Sequence, residues 1–193
     1  VLLVGFVAVA LSAAPAWAGG RPNQSKNDPS MSKRSTSDAT FVKKAAEGGM
    51  AEVELGKLAA DKATTNEVKQ FGQKMVEDHG KANGQLKSLA QTKNIMLPAD
   101  LNAKDKALHD RLSKLSGPAF DRAYMRAMVT DHTKDVSEFR TEAKAGADSD
   151  VKSWASTTLP TLETHLKMAQ DANRAVGTSG TMPKTPKTPK TPK

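Results

Sequence analysis

Between residues 38 and 177 the apolar side chains recur every three or four positions in four long runs, with almost no strand-like alternation. That period commits the chain to amphipathic helices, which must bury their stripes against one another. The chain has no cysteine, so neither a disulfide nor a thiolate can help. A packed apolar core must hold the fold.

Helix-start and helix-stop residues divide the runs. Helix 1 is expected from Ser37 or Asp38 to about Lys62, and helix 2 from Thr64, with Glu67 completing a capping box, to about Lys93. A connection containing Pro98 follows, with a short extra helix from Ala103 to Leu115. Helix 3 opens at Gly117-Pro118 and ends at Gly146. Helix 4 runs from Ser149 or Asp150 to before Gly177, with a kink expected at Pro160. Two tight helical hairpins joined by one long crossover have the connectivity of a ferritin-like four-helix bundle, an all-α fold. An up-down bundle with a padded second loop is the alternative.

The flanks differ in kind. Residues 1–18 carry no charge and end in Ala16-Trp17-Ala18, a signal-peptidase pattern, so they read as part of a secretory signal peptide. A membrane anchor is the alternative, although a span needs about 20 apolar residues. Residues 19–37, rich in Gly, Pro and Ser, read as a disordered basic linker. In the tail, 178–193, Pro at every third position forbids helix. Of the net charge of +8, the linker holds +3 and the tail +4, from Lys184, Lys187, Lys190 and Lys193, leaving +1 for the bundle. A near-neutral folded domain does not suit specific nucleic-acid binding. The tail suits contact with anionic envelope polymers, or serves as a solvated spacer.

Placing each helix at 100° per residue shows which polar side chains share an apolar stripe. Glu52 lies among Phe41, Ala45, Gly48, Leu55 and Ala59. His79 lies among Val68, Phe71, Met75, Leu86 and Leu89. His132 and Asp121 join Met125, Met128, Val136 and Phe139, with Asp135 at the edge, and His165 joins Val151, Leu162 and Ala169. With the third helix parallel to the second, Glu52, His79, His132 and His165 fall within about 6 Å along the axis. Such a layer either binds one transition-metal ion, with Zn, Fe, Mn and Cu as candidates, or is a hydrogen-bonded polar layer that fixes register. Asp135 and Asp121 are candidates to orient the ligands from behind. Met75 and Met128 each stand one turn before a histidine, in segments that echo each other 53 residues apart. They are soft-ligand candidates or plain core filler. His109, in the crossover, receives no role, and Gly48-Gly49 is expected to allow close helix contact.

These residues also carry a family resemblance. The order Ala51-Glu52-Val53-Glu54-Leu55-Gly56, Met75-Val76-x-Asp78-His79, Phe120-Asp121, Met128-Val129-x-Asp131-His132, then Leu159-Pro160-x-Leu162-x-x-His165 resembles the bacterial "domain of unknown function 4142" family. The resemblance implies a ferritin-like fold and an exported or outer-membrane protein, and supplies no activity. The di-metal enzymes of that fold use Glu-x-x-His pairs. Here the residue three before each inward histidine is Val76, Val129 or Leu162, so a single ion fits better than a di-iron centre.

No catalytic residue is assigned. Three readings follow: an exported bundle that binds one metal ion in envelope metal handling or stress resistance; a non-enzymatic envelope scaffold that uses its basic tail; and a periplasmic enzyme with Glu52 or a histidine as general base.

Overall fold

The computed structural model describes residues 29–178. They form α1 (Pro29–Lys62), α2 (Asn66–Thr92), α3 (Ala103–Ser113), α4 (Gly117–Ala145) and α5 (Ser149–Thr178), with no strand among the described residues. The expected signal peptide, residues 19–28 of the linker and residues 179–193 of the tail lie outside them. Helix α1 starts at Pro29, earlier than Ser37, so residues 29–36 are helical backbone rather than linker. Proline suits a first helical position, and no Pro or Gly follows it before Gly48 to stop the helix. The other helices fall within two residues of expectation. Asn94, at φ 54°, ends α2 in the left-handed region, and Gly117, at φ 58°, opens α4 there.

Two carboxylates decide the topology. Asp121, near the start of α4, accepts hydrogen bonds from the Thr64 and Thr65 N–H groups, each at 3.0 Å, and from Thr64 Oγ1 at 2.6 Å, all in the α1–α2 turn. Asp38, nine residues into α1, accepts from the Ala147 and Asp148 N–H groups at 3.2 and 2.6 Å in the α4–α5 turn. So α4 begins where α1 ends and ends level with Asp38, in the first half of α1. Helices α2 and α4 therefore run parallel, and the crossover carrying α3 returns along the whole bundle. That is the ferritin-like connectivity, and it rules out the up-down alternative.

The same bonds correct two expectations. Thr64 forms no capping box with Glu67; Thr65 occupies the N-cap position and makes no side-chain cap bond. The Thr64 hydroxyl donates instead to the charged Asp121, the stronger acceptor. The 53-residue echo also joins non-equivalent helices, α2 and α4. The two hairpins correspond at a constant offset of 83, which pairs Asp38 with Asp121, Phe41 with Tyr124 and Val68 with Val151.

Glu142 lies beside Asp38 and shares a hydrogen bond with it; burial and that neighbouring carboxyl push its pKa up from 4.5 to about 7. A raised folded-state pKa gives stability that is complete below 4.5 and lost as pH rises through about 7. Glu142→Gln keeps the hydrogen-bonding shape without titrating. Its unfolding free energy, measured against wild type, should therefore improve steadily between about pH 5 and pH 8. A difference that is flat in pH would refute the shared proton.

The core consists of two apolar clusters. One, toward the α1–α2 turn, includes Leu55, Phe71, Met75, Phe120, Tyr124 and Met128, with Leu112 of α3 sealing its side. The other, toward the α4–α5 turn, includes Phe41, Val42, Leu86, Val136, Phe139 and Leu162. Each fully buried large side chain contributes roughly 1.5–3 kcal/mol.

Close backbone contact falls at Gly56 and Gly72; of the expected Gly48-Gly49 pair only Gly49 sits close to α2, where a Cβ would stand 2.0 Å from Asn83 Oδ1. A Cβ on Gly72 would stand 2.8 Å from the Gly56 carbonyl oxygen and 2.8 Å from Ala59 Cβ, whereas a Cβ on Gly48 meets nothing within 4 Å. Backbone cannot swing aside as a side chain can. Gly72→Ala should therefore cost about 2–3 kcal/mol in denaturant unfolding despite the better helix propensity of alanine. A stabilised variant would show that the helices can part freely.

Candidate metal centre

Between the two apolar clusters lies a polar layer. Helix α2 supplies His79, α4 His132, α5 His165 and α1 Glu52, at 7%, 0%, 0% and 3% exposure. The three imidazole centroids form a near-equilateral triangle with sides of 5.3, 5.5 and 5.7 Å. One nitrogen of each ring lies within 4.8 Å of the corresponding nitrogens of the other two.

The outward bonds fix which nitrogens face inward. His132 Nδ1 lies 3.0 Å from the Met128 carbonyl oxygen. A carbonyl only accepts, so Nδ1 carries the proton and Nε2 keeps its lone pair. His165 Nε2 lies 2.8 Å from Asp78 Oδ2, and Lys74 holds that same carboxylate at 2.9 Å. Burial favours a neutral Asp78, but the hydrogen bonds from Lys74 and His165 outweigh it and hold its pKa below the ordinary 3.8. His165 therefore donates from Nε2 and turns the lone pair of Nδ1 inward. His79 Nε2, His132 Nε2 and His165 Nδ1 are buried and have no hydrogen-bond partner among the described residues.

Electrostatics keep these rings neutral. Burial, with positive charge on either neighbouring imidazole disfavoured, lowers the His79 pKa from 6.5 to about 3. Burial, then His165, lowers His132 to about 4. Burial also lowers His165, against the pull of Asp78. Three neutral rings thus share one dry space, with the inward lone pairs of His132 and His165 free, the protonation state a cation needs. A point equidistant from nitrogens spaced 4.8 Å apart lies about 2.8 Å from each, so closing on zinc at roughly 2.0–2.1 Å needs inward movement of under about 1 Å.

The family model described as a domain of unknown function, DUF4142, matches residues 22–172. The chain belongs to the DUF4142 family. Comparison with curated proteins gives no match. Among solved structures, a DUF305 protein from Streptomyces coelicolor, designated a secreted protein, is similar in fold at TM-score 0.62 and 15% identity. The alignment covers 72% of this chain and 93% of that one. A DUF305 fragment from Deinococcus radiodurans is similar at TM-score 0.62 and 13% identity, over 73% and 95% of the two chains. At such identities the likeness is one of fold.

In this DUF4142 bundle the residues singled out from sequence separate into distinct places. His79, His132 and His165 come together. Glu52 does not join their ligand set: its Oε1 lies 3.6 Å from His132 Nδ1, the outward nitrogen, and its Oε2 is buried without a partner. Burial and the nearby Asp135 and Asp131 raise its pKa well above 4.5. Asp121 orients no ligand; eleven residues before His132 on α4, it sits roughly 16 Å away along the helix and holds the α1–α2 turn. Asp135 makes no hydrogen bond to His132, whose Nδ1 is taken by Met128 O and flanked by Glu52. Burial raises the Asp135 pKa from 3.8 to about 7. Met75 and Met128 are fully buried in the apolar cluster on one side of the layer. Asp78 is the carboxylate that holds the His165 ring, although it lies about 100° off the α2 stripe. Its signal was Lys74, one turn earlier and oppositely charged. No helix of the described residues is long and apolar enough to cross a membrane.

Proposed function

We propose that this DUF4142 protein is an exported bundle that binds one transition-metal ion through His79, His132 and His165 and serves metal handling at the cell envelope. The observation that carries the reading is the set of three buried, unpartnered ring nitrogens facing one another. Leaving three buried ring nitrogens unmatched costs on the order of 1–3 kcal/mol each, and one cation, with His79 in the tautomer that frees Nε2, satisfies all of them. A nitrogen-only donor set favours zinc or copper over manganese. Iron is the intermediate case. Three protein ligands also leave a coordination position for water or an incoming ligand. Export rests on the Ala16-Trp17-Ala18 pattern, and the secreted designation of the Streptomyces DUF305 protein agrees with it.

Elemental analysis of untagged protein tests the reading. Wild type should carry close to one metal ion per chain, and His79→Ala and His132→Ala almost none. Equal trace metal in all three would end it.

A further inference from the structure

The structure points to a route by which the cation reaches the histidines. Of the three rings, only His79 borders a cavity of about 20 Å³, whose other walls include Asp135, Asn83, Gly48, Gly49 and Trp154. A water needs about 10–15 Å³ of such volume, so the cavity holds one water or one largely dehydrated ion. It lies inside the bundle, on the side of the histidine layer facing the α4–α5 turn, with Glu138 and Lys44 at its rim.

Two features fit it for a cation. Asp135 has a mostly buried side chain (20% exposed), yet no donor among the described residues hydrogen-bonds it; Lys134 is its one ion-pair partner, at 3.8 Å. The cations at the rim are drawn to Glu138 instead, which Lys134 reaches at 3.2 Å and Lys44 at 3.9 Å. Asp135 is thus a carboxylate set deep beside His79 with little to compensate its charge. The second feature is Gly49. A Cβ there would stand 2.0 Å from Asn83 Oδ1, so glycine at this position is what leaves room for the Asn83 amide in the wall. Carboxylate and amide oxygens can replace an ion's water molecules one at a time before the imidazoles take it.

We infer that Asp135 receives the incoming cation in this cavity and passes it to His79, so that the site exchanges its ion through one port. The inference rests on the metal-binding reading above.

Stopped-flow uptake of Co²⁺ by metal-free protein, followed by its visible absorption, tests it. Asp135→Asn should slow uptake about 10-fold, since a carboxylate lining a narrow, low-dielectric cavity focuses cations into it. Uptake should slow by more than the affinity weakens. Gly49→Ala, which drives the Asn83 side chain toward the cavity, should slow uptake at least 5-fold. Gly84→Ala, another helical glycine whose Cβ meets nothing within 4 Å, should match wild type. Uptake by Asp135→Asn that slows less than 5-fold, or less than its affinity weakens, overturns the port and leaves the histidine site standing. A wild type that takes up no cobalt removes both.

Discussion

Adding Zn²⁺ or Cu²⁺ to the metal-free protein should raise its melting temperature by about 5–16 °C, and His132→Ala should abolish the rise. The size follows from linkage. A ligand present at 100 to 1,000 times its Kd stabilises by about 2.7–4.1 kcal/mol, and a domain of this length gains about 2–4 °C per kcal/mol. Truncating a fully buried histidine also leaves a cavity, so the variant should melt lower even without metal, by an amount equivalent to about 2–4 kcal/mol. The informative quantity is therefore the metal-induced difference within each protein, not the difference between proteins. His109→Ala serves as a control, because His109 lies on the crossover helix, away from the triad, and its removal should leave the rise intact. A hydrogen-bonded polar layer without metal predicts otherwise. If one water fills the triangle, accepting a proton from His79 and donating to the other two rings, added metal should leave the wild-type melting temperature unchanged.

What the sequence revealed of this centre, and what it hid, follows from what helical periodicity can encode. Periodicity fixes the face a residue occupies, and on that basis His79, His132 and His165 were legible as inward groups. It does not fix reach. Glu52 shares the face and level of the histidines, but its carboxyl ends beside the outward nitrogen of His132 rather than at the shared centre. Nor does it fix height until the topology is known. Asp121 points inward as expected, yet near the end of the bundle, where turn N–H groups claim it. Asp78, about 100° round α2, was legible only as facing solvent or a neighbouring helix. A residue at the flank of a stripe contacts whichever helix packs on that flank, and α5 happens to bring His165 there. Gly48-Gly49 and Gly56 were equally visible in the sequence. Only the partner helix decides that Gly56 meets the Gly72 backbone while Gly48 meets open space. Likewise, the choice between crossover and up-down connectivity depends on Asp38 and Asp121 bonding turns more than fifty residues away, contacts no local pattern contains.

Those turn-bonding carboxylates give the second large effect. Asp121→Ala should destabilise the protein by about 3–5 kcal/mol, the cost of removing one partner from a buried, charge-assisted set. Asp121 is 1% exposed and receives two backbone N–H groups and one hydroxyl, so its loss strands three donors at the α1–α2 turn at once. Asp121→Asn retains one acceptor oxygen but introduces an amide N–H₂ facing other donors, so it should recover no more than about half of the loss. The damage has a location as well as a size. Amide hydrogen exchange at Thr64 and Thr65 should accelerate far more than exchange in the α4–α5 turn, which Asp38 still holds. Metal uptake by the folded variant should remain stoichiometric, because the histidine layer lies roughly 16 Å along α4 from the substitution. Chemical unfolding supplies the number and exchange supplies the place. A cost below about 1 kcal/mol would mean that the two hairpins are held together by apolar packing alone, and that the carboxylates mark the topology without enforcing it.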